Sequence, residues 1–210
     1  MNKNIYIIRY VTYRDLDEIA KIHKESYPKD HFLSEFNLFI IKKYYKSFLK
    51  YPILFLVCIK YEKICGFILG LESDISSKAK SDFIKENKYI LLVYVISRIF
   101  SKKFILKFFP RFINLAKSSF FNSLKQKETT ISLKKSFHLL SIAISNEAKG
   151  KGIANILLDN FEKILKKDGI KKYILSVNKS NFQAIKFYKK NNFYIEKENE
   201  DSIEMCKILS

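Results

Sequence analysis

Ser141 to Ala154 reads SIAISNEAKGKGIA, an alternating apolar segment that runs into a glycine-containing turn and then a helix. Two of the chain's five glycines, Gly150 and Gly152, fall inside it. Without a Cβ, glycine lets the backbone approach a ligand closely while successive N–H groups face one concavity. The helix that begins near Ile153 adds unpaired amides and the positive end of its dipole. Together these elements predict a diphosphate site built from the main chain of Lys149, Gly150, Lys151, Gly152, Ile153 and Ala154. A purely structural strand-to-helix turn accounts for the same residues about equally well. Other phosphate loops fit less well: Asn155 stands where a dinucleotide fingerprint has Gly, and no Gly-Lys-Ser/Thr follows.

About 30 residues downstream, Val177 to Phe193 reads VNKSNFQAIKFYKKNNF, a strand end, a loop, a short helix and the start of another strand. Lys149-Gly150-Lys151-Gly152-Ile153-Ala154, followed at this distance by Asn181, Ala184, Phe187-Tyr188 and Asn192-Phe193, resembles the GNAT superfamily of N-acetyltransferases. There the first element is Gln/Arg-x-x-Gly-x-Gly/Ala and the second Asn-x-x-Ala-x-x-Phe-Tyr with a following Asn-Gly-Phe. Lys149 departs from Gln or Arg but keeps a cationic donor near phosphate. Asn192 departs from Gly but is the residue after glycine that best tolerates left-handed backbone. The resemblance covers about Phe137 to Ile208, a third of the chain.

With 210 residues, 48% hydrophobic content and three prolines, the chain can bury one sizeable core. The expectation is a single domain, 1–210, carrying an insertion at about 78–130. The net charge is +18, in a chain where Lys, Ile, Asn, Phe and Tyr are all abundant, so charge alone is a poor guide to partners. Cys58, Cys65 and Cys206 show no metal spacing and are expected as reduced, buried thiols of a cytoplasmic protein; no metal is expected. The N-terminus has no apolar signal core. The run Tyr89 to Ile96 falls short of the ~20 apolar residues that a membrane-spanning helix needs.

Periodicity and turn residues set out the elements. Strands are expected at Ile5–Val11, Leu54–Tyr61, Ile64–Leu71, Leu139–Ile144, Lys172–Val177, Phe193–Glu198 and Ile203–Leu209. Helices are expected at Leu16–Ser26, Leu38–Phe48, Ile153–Lys167 and Asn181–Asn191. The second and third strands form a hairpin through a Glu62-Lys63 turn, with Gly66 and Gly70 marking bulges or close contacts. The fold class is α/β, a GNAT-like mixed, splayed sheet flanked by helices, with a basic helical insertion between the third and fourth strands.

The resemblance implies acetyl-CoA as co-substrate, held at the 149–154 turn. It implies that Leu139–Ile144 splays from Lys172–Val177, so that pantetheine adds as a pseudo-strand to main-chain atoms near Ile142, Ala143 and Ile144. A backbone N–H of that strand would stabilise the oxyanion, worth ~3 kcal/mol in comparable sites. Tyr188 stands where the family's general-acid tyrosine does, and a phenol of pKa ~10 stays protonated at neutral pH. Packing beside Phe187 on an amphipathic helix is the competing role for Tyr188. Asn181 either bonds pantetheine or caps its helix, with Ala184 and Phe187 beside it. For a general base, Glu72, His31 and His138 are candidates by position only.

Between Glu86 and Glu128 lie 41 positions without an acidic residue, holding nine Lys or Arg and nine aromatics. Ile99, Phe100, Phe104, Leu106 and Phe108, with spaced cations, predict amphipathic helices broken near Pro110. Such helices pack on the core, lie on an anionic membrane surface, or, third in order, meet nucleic acid; no specific nucleic-acid partner is expected. The resemblance implies acetyl transfer to a primary amine of a small molecule, and likeness to a GNAT subgroup tied to cell-surface sugar modification makes an amino sugar, free or lipid-linked, the first expectation. The protein would act as a monomer or homodimer, in the cytoplasm or peripherally at the membrane. The competing class is a non-catalytic GNAT-fold module that docks membrane or nucleic acid through the basic insertion.

Overall fold

The computed structural model describes residues 6–28, 31–98 and 136–209. Seven strands form one sheet in the order β1-β2-β3-β4-β5-β7-β6. They are β1 (Ile7–Tyr10), β2 (Leu54–Lys60), β3 (Lys63–Glu72), β4 (Phe137–Ile144), β5 (Lys172–Asn178), β6 (Tyr194–Glu198) and β7 (Ser202–Ile208). Every neighbouring pair is antiparallel except β4 and β5. The helices are α1 (Leu16–Ser26), α2 (Leu38–Phe48), α3 (Ser73–Glu86), α4 (Lys88–Arg98), α5 (Ile153–Lys167) and α6 (Phe182–Lys190).

Two apolar layers cover the sheet. On one face α1 and α2 bury Ile19, Ile41, Tyr45 and Phe48 against Phe55, Phe67 and Leu69, and α3 and α4 add Ala79, Phe83 and Leu91. On the other, α5 buries Leu157, Leu158 and Phe161 against Leu56, Ile68, Tyr173 and Leu175. The helix stripes follow the 3.6-residue period, and β2, β3 and β4 contribute residues to both layers.

The segment expected as an insertion from about residue 78 falls within α3, and α3 and α4 pack on the α1/α2 layer. Tyr94 ties α4 down by donating to the Glu35 carbonyl at 2.6 Å. The expected helices around Ile99–Phe108 lie outside the described residues. Among those described, no helix is long and apolar enough to cross a membrane.

The β2–β3 turn differs from the Glu62-Lys63 turn expected. Lys60 pairs with Lys63, leaving Tyr61 and Glu62 as its two central residues, with φ of 48° and 63°. A two-residue hairpin needs positive φ at both centres to match the strand twist, so Lys63 is drawn into β3. Gly66 and Gly70 are the close contacts expected of them. A Cβ at Gly66 would stand 2.7 Å from the Ala143 carbonyl oxygen, and one at Gly70 would collide with the Phe161 ring.

Candidate active site

β4 and β5 pair only at Phe137–Tyr173 and His138–Ile174. Beyond these the strands part, and the gap is a cleft of about 500 Å³. The β4 edge facing it keeps its own polar groups. The carbonyls of Ile144 and Ile142 turn away from β3 and receive hydroxyls from Ser26 at 2.6 Å and Tyr27 at 3.4 Å. In a strand a residue's N–H and C=O lie on the same side, so the amides of Ile142 and Ile144 face the cleft too. Ala143, between them, faces β3 and pairs with Phe67.

At the next corner of the cleft the chain turns into α5. Gly150 and Gly152 both have φ of 75°, and a Cβ on either would meet nothing within 4 Å. The demand for glycine is therefore conformational, since a side chain strains the left-handed backbone. Asn155 and Ile156 are the first helix amides to donate backward, to the Gly152 carbonyl at 3.1 and 3.2 Å. Gly152, Ile153 and Ala154 precede that ladder, line the cleft, and offer it N–H groups with the helix dipole behind them. Lys149 and Gly150 also line it. Lys151 does not: its side chain is exposed and its amide is spent on the Ala148 carbonyl at 3.4 Å.

The opposite wall is α6. Asn181 caps it, its Oδ1 accepting from the Ala184 amide at 3.1 Å, and it lines the cleft along with Ala184, Phe187 and Tyr188. Tyr188 is buried, its ring set edge-on to Phe187 at 5.3 Å and Phe193 at 5.2 Å. Burial, with a smaller contribution from Tyr27, raises its pKa above the ordinary phenol value, so it carries its proton at neutral pH. Asn192, just past α6, has φ of 64°, the left-handed conformation its position demands.

Of the three expected bases, His31 alone lines the cleft. Glu72 sits at the far end of β3, opposite Phe137, and His138 bonds Ser136 at 2.9 Å through Nε2; neither lines the cleft. Residues that the sequence reading overlooked gather at its edge instead: Tyr27 and Ser141 line the cleft, with Tyr45 and His23 behind them. The hydroxyls of Tyr27 and Tyr45 lie 2.6 and 3.1 Å from Ser141 Oγ on β4. His23 Nδ1 is 2.8 Å from the Tyr45 hydroxyl, and its ring stacks on Tyr27 at 4.2 Å. Burial, then His31 and Lys24, lowers the His23 pKa to about 3, so this imidazole is neutral. The available signal was His23 and Tyr27, four residues apart at the end of α1.

Among the described residues no cluster of His, Cys, Asp and Glu could hold a metal ion. A coenzyme A molecule, by contrast, finds matching groups along the whole cleft: strand-edge amides for its pantetheine and helix-start amides for its diphosphate.

The sequence model of the acetyltransferase (GNAT) family matches residues 121–193. Over that third of the chain the sequence fits a GNAT acetyltransferase domain. Solved N-acetyltransferase structures extend the likeness in fold over nearly the whole chain. The PaiA N-acetyltransferase from Thermoplasma acidophilum, in complex with coenzyme A, is 19% identical, covers 97% of this chain and 99% of its own, and gives a TM-score of 0.56. The ribosomal-protein-S18-alanine N-acetyltransferase from Escherichia coli is 15% identical, covers 98% and 95%, and gives 0.57. An N-acetyltransferase from Staphylococcus aureus Mu50 is 15% identical, covers 98% and 99%, and gives 0.58. At these identities the likeness establishes the GNAT fold. No curated protein sequence matches the chain.

Proposed function

We propose that this GNAT protein transfers the acetyl group of acetyl-CoA directly to a primary amine in a ternary complex. The observation that carries the reading is the parting of β4 from β5, which leaves the Ile142 and Ile144 amides unpaired with β5 in a cleft bounded by the Gly150–Ala154 turn and Tyr188. The edge amides hold the pantetheine, and the amides of Gly152, Ile153 and Ala154 hold the diphosphate. A β4 amide stabilises the oxyanion while the amine nitrogen bonds to the acetyl carbon. As the carbon–sulfur bond breaks, Tyr188 gives its proton to the leaving thiolate, and the proton lost by the amine restores the phenol. His31 and the hydroxyl chain of Tyr27, Ser141 and Tyr45 line the route for that second proton.

Reduced thiols at Cys58, Cys65 and Cys206 suit a cytoplasmic setting. For the acid-free basic stretch beyond Arg98 we propose peripheral contact with an anionic membrane surface.

Tyr188→Phe tests the catalytic role. Turnover of acetyl-CoA is expected to fall about 10²-fold or more, with coenzyme A affinity unchanged by calorimetry. Full turnover in the variant removes Tyr188 as the acid. Absence of acetyl transfer to any amine in the unmodified protein leaves the non-catalytic binding module.

A further inference from the structure

A second cavity, of about 250 Å³, opens beside the cleft. The two share Tyr27, His31, Leu140 and Ser141 as a common lip. Its far walls come from α2, α3 and α4 and are dominated by Tyr44, Phe83 and Leu91. Tyr44 and Phe83 meet edge to face at 5.4 Å, a preformed aromatic wall. Among the described residues, neither cavity is lined by Asp or Glu. A polyamine would bring several cations to a place with no counter-charge.

Among the described residues, one lysine lines the second cavity. Lys80 makes no hydrogen bond or ion pair with any described residue, and burial lowers its pKa. His138, the other basic group near it, offers no compensating charge. An ammonium set in an apolar wall is unfavourable until an anion completes it. The cavity thus combines an apolar volume, a positive charge with no partner among the described residues, and a lip shared with the cleft.

We propose, resting on the acetyltransferase reading above, that the acceptor is an apolar aminocarboxylate seated in this second cavity. Its ring or branched body packs against Tyr44, Phe83 and Leu91, its carboxylate pairs with Lys80, and its amine stands at the Ser141–Tyr27 lip.

The test uses the full chain and four probes: phenylalanine, phenethylamine, glucosamine and spermidine. Binding to the coenzyme A-loaded protein is measured by calorimetry, and acetyl transfer from acetyl-CoA by turnover. Phenylalanine is expected to bind, and to exceed phenethylamine in kcat/KM by about tenfold or more. Lys80→Met should abolish that difference and Leu91→Trp should fill the cavity and weaken phenylalanine, both leaving coenzyme A affinity unchanged. A preference for glucosamine or spermidine, or a phenylalanine preference that survives Lys80→Met, overturns the proposal. So does transfer of longer acyl groups that Leu91→Trp blocks, which would give the cavity to the acyl chain. Phenylalanine bound in the cavity without acetyl transfer keeps the assignment of the cavity and sinks the acetyltransferase reading; transfer to glucosamine without phenylalanine binding does the reverse.

Discussion

Gly152 shows what a single residue contributes to this site. With φ of 75° and open space where a Cβ would project, it is held to glycine by backbone conformation alone. Gly152→Val places a β-branched residue in left-handed backbone, a strain of about 1–2 kcal/mol, and turns the amides that face the diphosphate. Coenzyme A affinity is expected to fall about tenfold or more, read by calorimetry, while the chain still folds. Unchanged affinity would remove this turn from the binding site. Gly150, Gly152 and Asn192 were legible in the sequence because backbone demands of this kind restrict residue type. His23, Tyr27, Tyr45 and Ser141 were not, because each is unremarkable alone and they meet only across α1, α2 and β4.

At the scale of elements, β4 decides how the two faces of the sheet are divided. Strict alternation would put Leu139, Ser141 and Ala143 on one side. Leu69 pairs with Ser141 and Gly70 with Leu139, so Leu140 is an extra residue in β4. That bulge turns Leu139 toward α5 and leaves Ser141 and Ala143 facing α1 and α2. It brings Ser141 to the lip shared by the two cavities. Opposite the bulge, Gly70 leaves room for Phe161, and Gly70→Ala is expected to destabilise the fold by about 1–3 kcal/mol in chemical denaturation. Wild-type stability in that variant would mean that α5 is free to shift away from the sheet. The helices α1, α2 and α5 were legible to the residue from their periodicity. The bulge was not, since it depends on how β4 registers with β3.

For the whole molecule, the placing of α1 rests partly on a single ion pair. Arg9 on β1 grips the buried Asp15 just before α1 with two bonds of 2.7 Å. The hydrogen bond from Arg9 outweighs burial, and Thr12 adds to it, so the Asp15 pKa is lowered to about 2 from an ordinary 3.8. A carboxylate held below its unfolded value stabilises the native state fully above about pH 4 and loses that contribution as pH falls toward 2. Asp15→Asn should therefore lower stability at pH 7 by about 1–2 kcal/mol, the half-exposed Arg9 reducing the full linkage value. The unfolding curves of the two proteins should converge near pH 2. A difference that persists there would trace the effect to packing.

Sequence by itself determined the order of elements, the two glycines before α5 and the Asn-to-Tyr pattern of α6, because these depend on local backbone conformation and on the periods of helix and strand. Only the tertiary structure decided that β4 leaves β5 after two pairs, that α1 and α2 bring a histidine and two tyrosines to Ser141, and that α3 and α4 wall off a second cavity with Lys80 in it. Those features join residues more than 90 positions apart in several cases, and such distant pairings arise from packing and register, which no short stretch of sequence contains.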